Sequence, residues 1–139
     1  MTTLVTNADF RAVKTGEALE VRTSRPAKTS VAGESGGLYK FVNGVLEAAT
    51  STDTDVYVAF NLPGEKKTFA IGDSVNVSQN GIFRTKIKSG ETIVTGDKIM
   101  VDTADSTQVV KFVTGSGNVV LATVTQVIDG VAIYEKTPR

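Results

Sequence analysis

Apolar residues in this chain fall two apart in short runs, and turn-forming dipeptides separate the runs. In "SVNVS" (74–78) Val75 and Val77 share one side and the polar residues the other. In "IFRTKI" (82–87) Phe83 and Ile87 oppose Arg84 and Lys86, with Lys88 continuing the basic side. A period of two is the mark of a pleated strand. Valine, isoleucine and threonine dominate these runs, as strands favour. Asn43-Gly44, Pro63-Gly64, Gly72-Asp73, Asn80-Gly81, Gly96-Asp97 and Asp129-Gly130 supply turn chemistry between them. From residue 38 onward the pattern predicts about ten strands: "LYKFV", "VLEAA", "DVYVAFN", "KTFAI", "SVNVS", "IFRTKI", "KIMVD", "QVVKFVT", "NVVLATVTQVI" and "VAIYEK". "SVNVS" and "IFRTKI" read as two arms of a hairpin that turns at Asn80-Gly81. No stretch there keeps a helical period over three turns. The expectation is an all-β fold, a small barrel or a sandwich. "DVYVAF" and "NVVLATV" are apolar on both parities. That fits either enclosure on two sides or one face on the core and the other in a subunit interface.

The first 37 residues have another character. "TSRPAKTSVAGESGG" is polar, contains Pro and Gly, and shows no strand period. Upstream, "NADFRAVK" suits a short helix with Asn7 or Asp9 at its cap. The division expected is an extended amino-terminal arm and linker over residues 1–37 and a β-barrel domain over 38–139. The alternative is that "EALEVRT" is the first barrel strand. Large apolar groups are sparse in the arm, and Phe10 is its one aromatic residue. Phe10 with Arg11, Lys14, Arg22, Arg25 and Lys28 therefore form the candidate set for docking on a partner surface.

Composition narrows the chemistry. The chain has 139 residues, enough for one domain. Fifteen basic residues balance fifteen acidic ones, which argues against a broad positive field for nucleic acid or for membranes. No apolar run approaches the ~18 residues that would span a bilayer, and "MTTLVTNADFRAVK" does not read as a secretory signal. Cysteine and histidine are both absent. Thiol catalysis, cysteine-type zinc sites and the commonest acid–base group go with them. No cofactor, metal or small-molecule substrate is expected, and no enzymatic activity.

Several stretches mimic chemistry. "GESGG" (33–37) fits G-x-S-x-G, the turn that exposes a nucleophilic serine. Ser35 would need a base, and without histidine only Lys28 or Lys40 is near in sequence, both in polar surroundings. The stretch reads as a flexible loop. Asp53 with Asp55, and Asp102 with Asp105, hint at a cation loop but lead directly into strands. Asp73 and Asp97 share a Gly-Asp-then-strand layout, read as turn chemistry rather than a glycosidase pair. Arg84, Lys86 and Lys88 make a basic strand face without the aromatic platforms of single-strand binders. It reads as a solvent face or as one that pairs with acidic residues of a partner.

The run from "VSQNGIFRTKIKSGETIVTGDKIMVD" through "VLATVTQVIDGVAIYEK", roughly residues 74–136, resembles the head decoration or capsid-cement proteins of tailed bacteriophages, with weaker support from "FVNGVLEAAT". The likeness lies in the order of turns and apolar strands, "NGIF", "TGDKIMV" and "DGVAIYE", not in reactive groups. It implies a small β-barrel or β-tulip domain after an extended arm. It further implies a homotrimer on the virion head surface, assembled in the host cytoplasm, with the major capsid protein as partner and bridging of capsomers on the expanded head as function. The alternative from another class is a β-sandwich module of a phage tail that binds a carbohydrate or a receptor.

Overall fold

In the computed structural model, residues 3–4, 20–62 and 64–138 are described. They contain strands and turns and no helix. In chain order the strands are β1 (Thr3–Leu4), β2 (Glu20–Lys28), β3 (Gly33–Glu34), β4 (Leu38–Val42), β5 (Val45–Ala48) and β6 (Tyr57–Phe60). They continue as β7 (Thr68–Phe69), β8 (Ser74–Ile87), β9 (Lys98–Val101), β10 (Gln108–Lys111), β11 (Ala122–Ile128) and β12 (Val131–Lys136). The all-β expectation holds.

Two of the expected hairpins form with the turns their dipeptides dictate. Asn43 and Gly44 sit at φ 51° and 82° between β4 and β5, and Asp129 and Gly130 at 50° and 75° between β11 and β12. Two successive positive φ values match the right-handed twist of the flanking strands.

Asn80-Gly81 does not turn. Residues 74–87 run as one 14-residue strand, β8, and Gly81 has no positive φ. The glycine serves close approach instead. A β-carbon on Gly81 would fall against the carbonyl oxygen of Glu20, and within 3.1 Å of a Phe83 ring carbon. Backbone of β2 occupies the space that a side chain would fill.

That long strand is shared by two rings. Its carboxyl half joins β12, β11, β9 and β10 in a closed five-stranded barrel. The closing contact is the parallel pairing of Gln108 with Lys86 and Val109 with Ile87. Its amino half is flanked by β2 on one edge and β6 on the other, and β6 continues to β4 and β5. A parallel bridge between Thr29 and Leu46, with the Ser30 N–H donating to the Leu46 carbonyl at 2.9 Å, brings the end of β2 back to β5. The result is a second ring, also of five strands, around a smaller core.

Each ring has its own core. Val58, Phe60, Phe83, Ile99, Val109, Val124 and Tyr134 belong to the larger one. Tyr39, Leu46, Ala59, Val75 and Val77 fill the smaller. β6 contributes Val58 and Phe60 to one core and Ala59 to the other, with Tyr57 packed beside it. The double-sided apolar pattern of "DVYVAF" is therefore enclosure within one chain.

The sheet also begins earlier than the expected boundary at residue 37. Glu20–Lys28 is β2, antiparallel to β8 from Glu20↔Ile82 to Lys28↔Ser74, so "EVRT" is a strand of the body rather than arm. Register shifts between Val21 and Thr23 and between Thr23 and Arg25 break the alternation that sequence reading relies on. Pro26 is tolerated because, among the described residues, no strand pairs with the outer edge of β2 beyond β1 at Val21 and Glu20. The short helix expected in "NADFRAVK" lies outside the described residues.

Gly81→Val forces β2 off β8 at the junction of the two rings. It is expected to cost about 3 kcal/mol or more. A thermal melt checks this, and an unchanged midpoint would show that β2 is not seated on Gly81.

Candidate functional site

The GESGG stretch lies at a mouth of the second ring, and it is tied down. The Ser35 N–H donates to the Lys67 carbonyl (2.7 Å), Gly36 N–H to Ala59 (2.7 Å), and Ala59 N–H back to Gly37 (2.9 Å). Its glycines make room for neighbours. A β-carbon on Gly36 would sit 2.5 Å from the Arg84 carbonyl oxygen, and one on Gly37 would meet the Tyr39 hydroxyl at 2.5 Å. The flexible loop expected from composition is thus a fitted plug. A G-x-S-x-G pattern arises here from steric need.

Ser35 Oγ accepts the backbone N–H of Asn61 at 3.2 Å. It lines a cleft of about 440 Å³ with Asn61, Lys66, Lys67, Phe69 and Asn76. The two carboxylates there are already employed. Glu65 accepts the Leu62 N–H (2.8 Å) and Asp73 accepts the Ala70 N–H (2.8 Å). Neither Lys28 nor Lys40 lines the cleft, and Lys40 instead approaches Asp53 at 3.5 Å. The arrangement offers hydrogen-bond partners for a polar ligand, and neither lysine weighed as a base from the sequence belongs to it.

Two buried tyrosines lie under this loop. Thr85 Oγ1 donates to the Gly36 carbonyl at 2.6 Å, so the Tyr134 hydroxyl, 2.7 Å from Thr85, is the donor in that pair. Burial raises the pKa of Tyr134 above the ordinary tyrosine value. Tyr39 stacks edge-on against Phe69 at 5.7 Å, and burial pushes its pKa up to about 12.

The aspartates are turn caps. Asp73, Asp97 and Asp53 each accept the backbone N–H three residues back, from Ala70, Val94 and Thr50 at 2.8, 3.0 and 2.7 Å. The recurrent Gly-Asp layout thus has the turn role expected, with the bond directed backward rather than forward. Asp55 accepts from Gln79, and Asp102 from Ala104 N–H (3.1 Å) and Gln108 (2.8 Å). Asp105 accepts the Thr107 hydroxyl at 2.6 Å, which lowers its pKa. Among the described residues no three acidic, His or Cys side chains gather as metal ligands.

The docking candidates separate. Phe10, Arg11 and Lys14 lie outside the described residues. Arg22, Arg25 and Lys28 belong to β2. Arg22 is held by Glu20 and, at 2.6 Å, by Glu135. Lys28 is exposed at the strand's end. Arg25 lies over the Phe41 ring, 3.7 Å from its centroid, and 5.7 Å from that of Tyr57. The two rings meet edge to face at 4.8 Å.

No family model and no curated protein matches this chain.

The basic face expected on β8 is only partly a solvent face. Arg84 is buried, while Lys86 is paired with Glu34 at 2.9 Å and Lys88 is exposed. The Phe41–Tyr57 platform was not foreseen as a site. Its one sequence signal is the apolar residues on both parities of "LYKFV" and "DVYVAF".

Ser35→Ala should cost about 1 kcal/mol, because the buried Asn61 N–H loses its acceptor, and should leave binding activity intact. Melting and a binding assay on the same variant check both halves. A second expectation concerns alkali. An unfolded chain releases tyrosine protons near the ordinary value of 10, whereas Tyr39 holds its proton to about 12. The folded state then binds more protons, so stability falls as pH rises from 10 toward 12. Absorbance titration of phenolate alongside denaturant melts would show this, and flat stability across that window would place Tyr39 in solvent.

Proposed function

We propose that the protein is a decoration protein of a tailed-bacteriophage head, which binds the outer surface of the expanded shell and bridges neighbouring capsomers. The observation that carries this reading is where the resemblance falls in the fold. The stretch that resembles the cement proteins, roughly residues 74–136, contains all five strands of the closed barrel, β8 to β12. The amino half of β8 is shared with the second ring, and the larger core also takes Val21, Leu38 and Val58 from outside the stretch.

The surface chemistry suits adhesion. The two carboxylates in the cleft cap turns, and Lys66 and Lys67 line it beside them. Ile71, Val94 and Val113 are exposed at loop tips, two of them in the Gly-Asp turns, and offer apolar contact to a partner. A protein that binds only the expanded shell stabilises that state by mass action. In a homotrimer, each copy's modest affinity is multiplied by effective concentration, and threefold symmetry repeats the same contacts. The major capsid protein is the partner in this reading, with Phe10, Arg11 and Lys14 as further contacts from the amino-terminal segment. The cleft beside Ser35 favours a second reading, a carbohydrate- or receptor-binding module of a phage tail, since its volume suits a small polar ligand.

Mixing the pure protein with expanded heads that lack it, then sedimenting, decides between them. The expected result is co-sedimentation, a raised shell melting temperature and a trimer mass for the free protein. Protein left in the supernatant at saturating concentration overturns the decoration reading. Glycan binding by a monomer, blocked by substitutions at Asn61 or Asn76, would establish the other.

A further inference from the structure

We propose that Arg25, laid flat on Phe41 and Tyr57, is the anchor of a protein-docking surface on β2 and receives a carboxylate from an acidic partner. The identity of the partner as a capsid shell rests on the decoration reading. The anchor itself does not.

Four other cations of the body are held by carboxylates. Arg22 is engaged by Glu20 and Glu135, Lys40 by Asp53, Lys86 by Glu34 and Lys111 by Asp97. Arg25 is held by rings instead, and among the described residues no carboxylate pairs with it. A guanidinium stacked on an aromatic face keeps its in-plane N–H groups free to bond. The stack also fixes the side chain before any partner arrives, so less rotamer freedom is lost on binding.

The neighbourhood presents this group outward. Thr23, Ser24, Arg25 and Pro26 are consecutive exposed residues of β2, and among the described residues no strand pairs with them on the edge away from β8. Pro26 lacks an N–H, and the register shifts at Val21–Thr23 and Thr23–Arg25 twist the edge. Both features resist addition of a foreign strand. A partner must therefore be read through side chains, and the one preorganised donor there is the guanidinium. Arginine and tyrosine together are what interface hot spots favour. The charge selects the partner class. One stacked cation on a strand whose other two are the acid-paired Arg22 and the exposed Lys28 does not make the continuous basic track that nucleic acid requires. It fits a carboxylate, which the planar fork can grip with two parallel bonds.

The test uses the full chain and four proteins: wild type, Arg25→Lys, Arg25→Gln and Lys28→Gln. One arm is co-sedimentation with expanded heads lacking the protein. The other is titration with an octaglutamate peptide, read by NMR at the arginine Nε–H resonances, with a short DNA duplex as the competing probe. Arg25→Lys keeps the charge but loses the planar stack, and should weaken both binding events by at least about tenfold. Lys28→Gln should change them by less than about threefold. Melting curves of all four should agree within the scatter expected for surface changes, and Arg25→Lys keeps the comparison interpretable should Arg25→Gln unfold.

The outcomes separate the two proposals. If wild type ignores heads but octaglutamate still shifts the Arg25 resonance, the decoration reading falls and the anchor survives. If wild type sediments with heads and both Arg25 variants sediment equally well, the anchor falls and decoration survives. A DNA duplex that shifts Arg25 more strongly than octaglutamate overturns the carboxylate assignment.

Discussion

Everything in this molecule depends on one strand serving two rings. A strand has two edges and two faces, and β8 uses all four. At its amino half β2 and β6 take the edges, while Val75 and Val77 face the smaller core. At its carboxyl half β12 and β10 take the edges, while Phe83 faces the larger core. The change of partners happens around residues 80–82, where β2 and β12 flank the strand together. The Glu20 carbonyl and the Phe83 ring crowd that point, which is why it must be glycine. Sharing the strand also avoids the exposed edges that two separate small sheets would leave.

The plug at residues 33–37 is a second consequence. The GESGG backbone lies against β6, β8 and the residue before β7, and its polar groups are met by Ala59, Lys67 and Thr85. A buried loop is acceptable only when its N–H and C=O groups find partners. Tyr39 and Tyr134 supply the apolar bulk on either side, at the expense of placing two hydroxyls where ionisation is costly.

What could be read from sequence follows from which forces are local. Turn dipeptides act within four residues, so Asn43-Gly44 and Asp129-Gly130 were legible, as were the strands they join. The same logic failed at Asn80-Gly81 because its glycine is required by Glu20, sixty-one residues earlier in the chain. β2 hid for a related reason, its alternation being broken by bulges and a proline that only an edge position permits. The aspartates were legible as turn chemistry, since each bonds within its own turn. The plug was legible only as glycine-rich, because the crowding that demands those glycines comes from Tyr39, Phe69 and Arg84 after folding. Arg25 was legible as a candidate cation. The aromatic rings that set it apart come from β4 and β6 and meet it only across the closed ring.

Asp53, Asp73 and Asp97 hold turns, and Glu20, Glu34 and Glu135 hold cations. What these contacts give the fold is rigidity. Two cores enclose both faces of β4 and β6, so the body that carries the exposed residues of β2 cannot easily deform. Rigid presentation reduces the conformational entropy lost on docking, and it favours contacts that are few, fixed and repeated. A symmetric shell is the kind of partner for which that strategy suffices, because each additional copy adds the same small contact without any one of them having to be strong. On this view the neutral net charge limits indiscriminate adhesion, and specificity is left to Arg25, which the fold holds against two rings and leaves without a carboxylate among the described residues.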